Sequence, residues 1–321
     1  MNAMVLNGIE QVLSLEDRSD LLAAAGQTVV HLTAAALNRR DAWIQMGQYG
    51  GLKFPIVLGS DGCGKTVDGR AVIIDPALDW GPDPRAQQKS FRILGLPDDG
   101  TLAEQVLVPS QNVYAKPAHL SDAQAAALPL AGLTAYRALF TRAGLQAGER
   151  VLVTGIGAGT AALALQFAQA AGAQVWVTSG SEAKLQKAAA LGAQGGANYK
   201  DVDWSKKLAA SGPFDVIIDS AGGDGFAQLI DLARPGGRIA NFGATVGNPS
   251  TIDLRRIFWK QLSILGTTMG SPQDFAAMLR FVNDNKLIPV IDQIFSLTEA
   301  NAALQRMRAS EQFGKIVLAH N

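Results

Sequence analysis

From Val151 the chain reads VLVTG, then IGAGT, then AALALQFAQAAGA, then QVWVTS. An apolar run, a glycine cluster, a long alanine- and leucine-rich stretch and a second apolar run predict strand, tight turn, helix and strand, one complete βαβ unit. The alternation continues with a helix over 182–191, the strand FDVIIDSA, a helix near 226–233, the strands GRIANFGA and SILGTTM, and a helix over 273–285. Strands alternating with helices predict an α/β fold, a doubly wound parallel sheet covered on both faces. Residues 1–120 follow another pattern. Short β-rich runs, QTVVHLTAAAL, PIVLGS, RAVIIDP and AEQVLVPS, are separated by Gly, Pro and Asp, which predicts a partly closed β domain. Residues 121–143 read as helical, with Ser121 as N-cap and Pro129 interrupting the middle. After Lys286, PVIDQIF and GKIVLA flank a helix near 298–308 and rejoin the first domain. The expected domains are 1–122, completed by 289–321, and 123–288.

Composition narrows the function. With 321 residues the chain is long enough for two domains, and 48% hydrophobic against 17% charged residues suits a globular enzyme. Lys plus Arg equals Asp plus Glu at 28 each, so no net field favours nucleic acid or an anionic membrane. The amino terminus meets acidic residues before any signal-length apolar run, and no stretch reaches about 18 uninterrupted apolar residues, so a cytoplasmic protein is expected. Cys63 is the lone cysteine, which excludes an internal disulfide and a multi-cysteine zinc site.

The chemistry concentrates at the glycine turn. A pyrophosphate needs backbone amides aimed at it and a helix amino terminus behind it, and glycine permits the approach because no Cβ intervenes. Thr154, Gly155, Ile156, Gly157, Ala158, Gly159 and Thr160 supply such a turn, set between a strand and a helix. The end of the second strand reads Thr178, Ser179, Gly180, Ser181, with no acid to hold an adenosine ribose or repel a 2′-phosphate. Lys184, one turn into the next helix, places an ammonium where a phosphate dianion would lie. The residues therefore point to NADP(H), although Glu182 lies close by and Ser181 and Lys184 also read as a helix cap and a surface charge.

Beyond the turn, ALNRRDAW from Ala36, PIVLGSDGCGKTV from Pro55, DGTLAEQVLVPSQNVY from Asp99, AALPLAGLTAYRAL from Ala126 and FGKIVL at Phe313 follow one another in a set order. Together they resemble the medium-chain dehydrogenase/reductases, in particular the zinc-free quinone oxidoreductase and enoyl-reductase-like branch. The resemblance spans nearly the whole chain and implies a Rossmann domain beside a GroES-like β barrel. Zinc-dependent members ligate their metal at positions that here hold Asn38, Ser60 and Leu130, with Asp61 beside them and Cys63 one step off. No thiolate and imidazole set arises from those residues, so no metal is expected.

Without a Lewis acid, alcohol oxidation is harder and reduction of a conjugated carbonyl easier. The resemblance implies NADPH-dependent reduction of a quinone or α,β-unsaturated carbonyl. It places Asn38 and Asp41 at the floor of the substrate cleft, with Trp43, Tyr49 and Ser60 beside the substrate, and Asn38 and Tyr49 as donors to its oxygen. For Asp41 an internal hydrogen bond or ion pair is the alternative. On the cofactor side it implies Thr134 beside the nicotinamide ribose, Tyr199 and Ser220 flanking the dinucleotide, Phe242 and Gly243 closing over it, and Thr268 and Met269 at the carboxamide. Lys315 matches a position near the 2′-phosphate or the cleft rim, or else is an exposed strand charge. A homodimer through residues 267–274 is implied as well. The competing functions are a non-catalytic NADPH-binding sensor or storage protein and an alcohol or aldehyde oxidoreductase of the same superfamily.

Overall fold

Strand Gln27–Ala36 organises the β-rich part of the chain, because its ten residues are long enough to meet three partners. Its amino-terminal half pairs with Gln105–Pro109 and its carboxyl-terminal half with Lys315–Ala319, while Asp61–Thr66 runs along the other edge. Ala71–Ile74 and Val113–Ala115 continue the sheet on one side and Ile291–Ser296 on the other. A second, three-stranded sheet joins Ser14–Asp17, Asn2–Leu6 and Ile56–Val57. The core beneath is aliphatic, with Leu6, Leu37, Ile44, Leu58, Leu304 and Ile316 buried together, each worth ~1.5–3 kcal/mol when fully removed from water.

The computed structural model, which describes residues 1–320, divides into two compact units, Met1–Leu133 with Met269–Asn321, and Thr134–Thr268. These bounds lie inside the Rossmann domain expected over 123–288. The reason is packing: Asp122–Ala126, capped by the Ser121 hydroxyl, lies on Gln27–Ala36 and Asp61–Thr66. Helix Pro272–Asp284 likewise seats Phe275 on Tyr114, their ring centroids 4.9 Å apart. Pro129 interrupts the helical stretch as expected and begins the helix Pro129–Tyr136.

Thr134–Thr268 contains a six-stranded, all-parallel sheet in the order Gly195–Asn198, Gln174–Ser179, Arg150–Val153, Phe214–Asp219, Ala233–Asn241, Ser263–Gly266. The order reverses direction between Arg150–Val153 and Phe214–Asp219, the switch point at which open parallel sheets bind ligands. Val151, Leu152 and Val153 are buried on both faces, and the strand feeds directly into the glycine turn. No helix of the described residues is long and apolar enough to cross a membrane.

Candidate functional site

Two sets of side chains carry chemistry, one in each unit. In Thr134–Thr268 the turn is shaped by its glycines. Gly155 has φ +67 and Gly157 φ +124, left-handed conformations that a Cβ would strain. A Cβ on Gly157 would also meet Lys184 Cδ at 2.6 Å and Nζ at 3.2 Å, so the lysine lies directly against the turn. Ile156 N donates to Thr178 O at 2.7 Å, Gly155 N to Thr178 Oγ1 at 3.2 Å, and Ser179 Oγ to Ile156 O at 3.2 Å. These bonds tie the turn to the end of Gln174–Ser179. Helix Gly159–Ala170 starts at Ala158, whose methyl side chain cannot cap it, so the N–H groups of its first turn, around Thr160, stay available for an anion. Those features fit a dinucleotide pyrophosphate, with Lys184 beside it.

Tyr199 is half exposed and its hydroxyl overlies Gly180, where an added Cβ would meet it at 2.7 Å. Ser181 N donates to Ser179 Oγ at 3.3 Å, and Glu182 is engaged by Asn198 Nδ2 at 3.0 Å. Ser220, Phe242 and Gly243 gather at the ends of the next two strands: Phe242 N donates to Asp219 O at 3.0 Å, and Gly243 lies against the Ser220 carbonyl. Thr134 is buried, and Thr268 is half-buried at the unit's last residue. Sequence reasoning missed the group that frames this set. Asp219 is 1% exposed and accepts four bonds, from Thr154 Oγ1 at 2.7 Å, Ala221 N at 3.2 Å, Gly222 N at 3.1 Å and Asn241 Nδ2 at 2.9 Å. The Thr154 hydroxyl is thus spent inside the sheet.

In the other unit, the register explains the second set. Ala36 pairs with Asp61 on one side and Val317 on the other, and continuing the antiparallel register two residues brings Lys315 level with Asn38. Lys315 Nζ donates to Asn38 Oδ1 and to Asp61 Oδ2, both at 2.7 Å, and Asn38 Nδ2 donates to the same Asp61 Oδ2 at 2.9 Å. Leu130 N fills Asp61 Oδ1 at 2.8 Å. Lys315 is 3% exposed, so it is not an exposed strand charge, and its ammonium holds Asp61 and Asn38.

Asp41 is fully buried on the helix Arg39–Gln45 and accepts from Asn38 N at 2.7 Å and Gly59 N at 3.2 Å. Burial pushes its carboxyl above the ordinary range, with the Arg40 charge opposing. Of the readings open for it, the internal hydrogen bond is what the structure contains. Ser60 is buried with Arg40 Nη1 at 2.7 Å, and the same nitrogen donates to Leu94 O at 2.7 Å. The Arg40 guanidinium also stacks over Tyr49, 5.0 Å from the ring centroid. Trp43 is half-buried on the same helix and takes no part in this network, while Met269 is buried with φ +43.

The three positions that resemble metal ligands do not form a zinc donor set. Asn38 offers an amide oxygen already taken by an ammonium, Ser60 a hydroxyl held by Arg40, and Leu130 no side-chain donor. Cys63 is buried, and its thiol is pushed up to about 12 by desolvation and then by Asp122. No group of three or more His, Cys, Asp or Glu side chains among the described residues is arranged to hold a metal.

Residues 159–284 match the zinc-binding dehydrogenase family model and residues 24–118 the alcohol dehydrogenase GroES-like domain model. A zinc-type alcohol dehydrogenase-like protein of Leptosphaeria maculans is 34% identical over 91% of this chain and 90% of its own. The crystal structure of an NAD-dependent alcohol dehydrogenase is 36% identical, with a TM-score of 0.93 over 99% of both chains. The quinone oxidoreductase of Thermus thermophilus, solved also with NADPH, is 28% identical, with a TM-score of 0.84 over 99% of this chain and 100% of that one. The match of fold, motifs and full-length relatives establishes the chain as a member of the medium-chain dehydrogenase/reductase superfamily and an oxidoreductase of that family.

Proposed function

We propose that the protein is an NADPH-dependent reductase that delivers hydride to a quinone or an α,β-unsaturated carbonyl without zinc. The observation that carries this reading is Asn38, an amide held between Lys315 and Asp61 where a metal-dependent enzyme needs a ligand. An amide N–H there serves a carbonyl oxygen, and such a donor is worth on the order of 10²–10³ in rate when charge develops on that oxygen. Lys184 against Gly157, together with hydroxyls and a glycine in place of an acid over residues 178–181, supports NADPH over NADH.

NADPH, once bound, supplies the hydride. The chain's share is to hold the pyrophosphate on the N–H groups that open Gly159–Ala170, to neutralise the 2′-phosphate with Lys184, and to donate from Asn38 to the acceptor oxygen; solvent returns the proton. Fluorescence titration with NADPH and NADH, a panel of quinones, enones and aldehydes, and elemental analysis test the three parts of this reading. Tighter NADH binding, no turnover above background, or one zinc per chain each removes the corresponding part. The 36% identical NAD-dependent alcohol dehydrogenase favours a second reading, alcohol or aldehyde oxidoreduction, which the same panel separates.

We further place the protein in the cytoplasm as a homodimer. The strand Ser263–Gly266 closes the parallel sheet as an edge, and Leu254, Phe258, Trp259 and Ile264 around it are exposed apolar side chains. An open edge beside exposed aromatics is the kind of surface that a second copy covers. This shifts the expected interface from 267–274 to 254–266, because Ser271 and Asp274 are buried in a helix cap.

A further inference from the structure

Asn38, Asp61 and Lys315 pose a question of orientation. An ammonium only donates and a carboxylate only accepts, so Lys315 and Asp61 between them fix the Asn38 amide: its oxygen faces Nζ and its nitrogen faces Oδ2. One Nδ2 hydrogen is spent on Asp61, and the other is committed to no group among the described residues. Asn38 is also the most exposed of the three, at 8% against 0% for Asp61 and 3% for Lys315. Stability alone gives little reason to keep a lysine here, since a buried ion pair is often no better than apolar residues of similar volume. We propose that Lys315, anchored by Asp61, is a positioning residue that stands in for a catalytic metal: it turns the Asn38 amide so that its remaining N–H meets the substrate oxygen. The Lys315 ammonium bound at Oδ1 draws electron density from the amide and makes that N–H a stronger donor. Turned over, the amide would present its oxygen to another oxygen and repel it. Resting as it does on the reductase reading, the inference assigns Lys315 no contact with substrate.

The test uses the full chain with isotope-labelled cyclohexenone and the oxidised cofactor NADP⁺, a complex that binds the enone without reducing it. Infrared difference spectra report the carbonyl stretch, and separate assays give kcat and KM with NADPH and the cofactor Kd. In Lys315→Met the downward shift of the carbonyl stretch is expected to vanish. The kcat falls roughly tenfold or more, less than the ~10²–10³ that losing a whole oxyanion donor costs. NADPH Kd is expected to stay within about twofold, a change too small to reflect a lost contact. Lys315→Arg is expected to restore most of both losses. Should Lys315→Met not fold, Lys315→Met with Asp61→Asn leaves no unpaired buried charge and replaces it. A carbonyl stretch and kcat equal to wild type in the folded variant overturn the inference. Should wild-type protein neither bind nor reduce the enone, the reductase reading is what fails, and the side-chain nitrogen resonance of Asn38 then decides the positioning. An unchanged resonance in the variant overturns it; a shift that Lys315→Arg reverses supports it.

Discussion

Asp61 and Asp219 are both buried, both lie on a strand that borders a candidate site, and they are stabilised in opposite ways. Asp61 is held by a cation, with Lys315 and Asn38 sharing one oxygen. Asp219 is held by four neutral donors from the turns around it, and no ion pair to it is present among the described residues. A carboxylate satisfied by neutral N–H and O–H groups serves as framework, because it organises loops whose backbone then meets a ligand. A carboxylate paired with a buried ammonium fixes a charge in place, and that charge is available to act on a neighbour. The first arrangement suits phosphate recognition by backbone amides, the second suits a site where charge develops during reaction.

The largest effect is expected from separating the Asp61 pair. Asp61→Ala leaves the Lys315 ammonium buried without its counter-ion, a loss of ~3–5 kcal/mol that denaturant unfolding measures directly. A loss below about 1 kcal/mol, the size of an ordinary substitution, would mean that Lys315 reaches solvent on its own. Asp219→Asn comes next, since its charge has no cationic partner to strand. Its new NH₂ would face donors at one of the two oxygens, and each bond to a charged acceptor lost there costs ~1.5–3 kcal/mol. NADPH binding should weaken with it, because Thr154 loses its anchor; unchanged stability and affinity would count against the framework role.

The same contrast explains what could be read from the chain. The glycine turn, the strand before it and the helix after it are contiguous, so local pattern placed them. The strands Gln27–Ala36, Ala71–Ile74, Gln105–Pro109, Phe214–Asp219 and Ala233–Asn241 also fell where alternation and turn residues indicated. Asn2–Leu6 was not foreseen, nor were the glycine-bearing Asp61–Thr66 and Gly195–Asn198, which lack an apolar run. The Asn38–Asp61–Lys315 cluster joins residues 254 and 277 positions apart and depends on strand register, which no local pattern encodes. A signal for it was present all the same. Lys315 opens the strand KIVLA, whose first four residues are all buried, and a single charge in such a run must find a partner inside. Asp219, closing the fully buried strand FDVIID, carries the same signal.

A smaller effect, confined to one cofactor, is expected at Lys184. It lies against Gly157, where it faces the turn without being part of the Asp219 frame. Lys184→Ala should raise the NADPH Kd about 10- to 100-fold, the worth of a hydrogen bond to a charged group, and leave NADH unchanged. Equal losses for both cofactors would instead assign Lys184 to the pyrophosphate or to the turn's conformation. No change in either would remove it from the site.

Asp75 takes the comparison to its limit, because it is a buried carboxylate with neither a cation nor a full set of donors. It is 1% exposed, Oδ1 accepts from Ala77 N at 2.9 Å, and Oδ2 has no partner among the described residues. Burial pushes its carboxyl well above the ordinary carboxylate range, and the nearby Asp274 pushes the same way. A raised native pKa means that the folded state holds the proton more tightly than the unfolded chain does. Its contribution to stability is therefore complete in acid and is lost as pH rises from the ordinary Asp value through the raised one. Asparagine is neutral at every pH and keeps an oxygen for Ala77 N. Asp75→Asn should accordingly gain about 1 kcal/mol over wild type near neutral pH, with the gain shrinking towards zero in acid, as thermal unfolding across a pH series would register. A gain that did not change with pH would show that Asp75 is charged in the folded protein, and the contrast with Asp61 would then be one of partners alone.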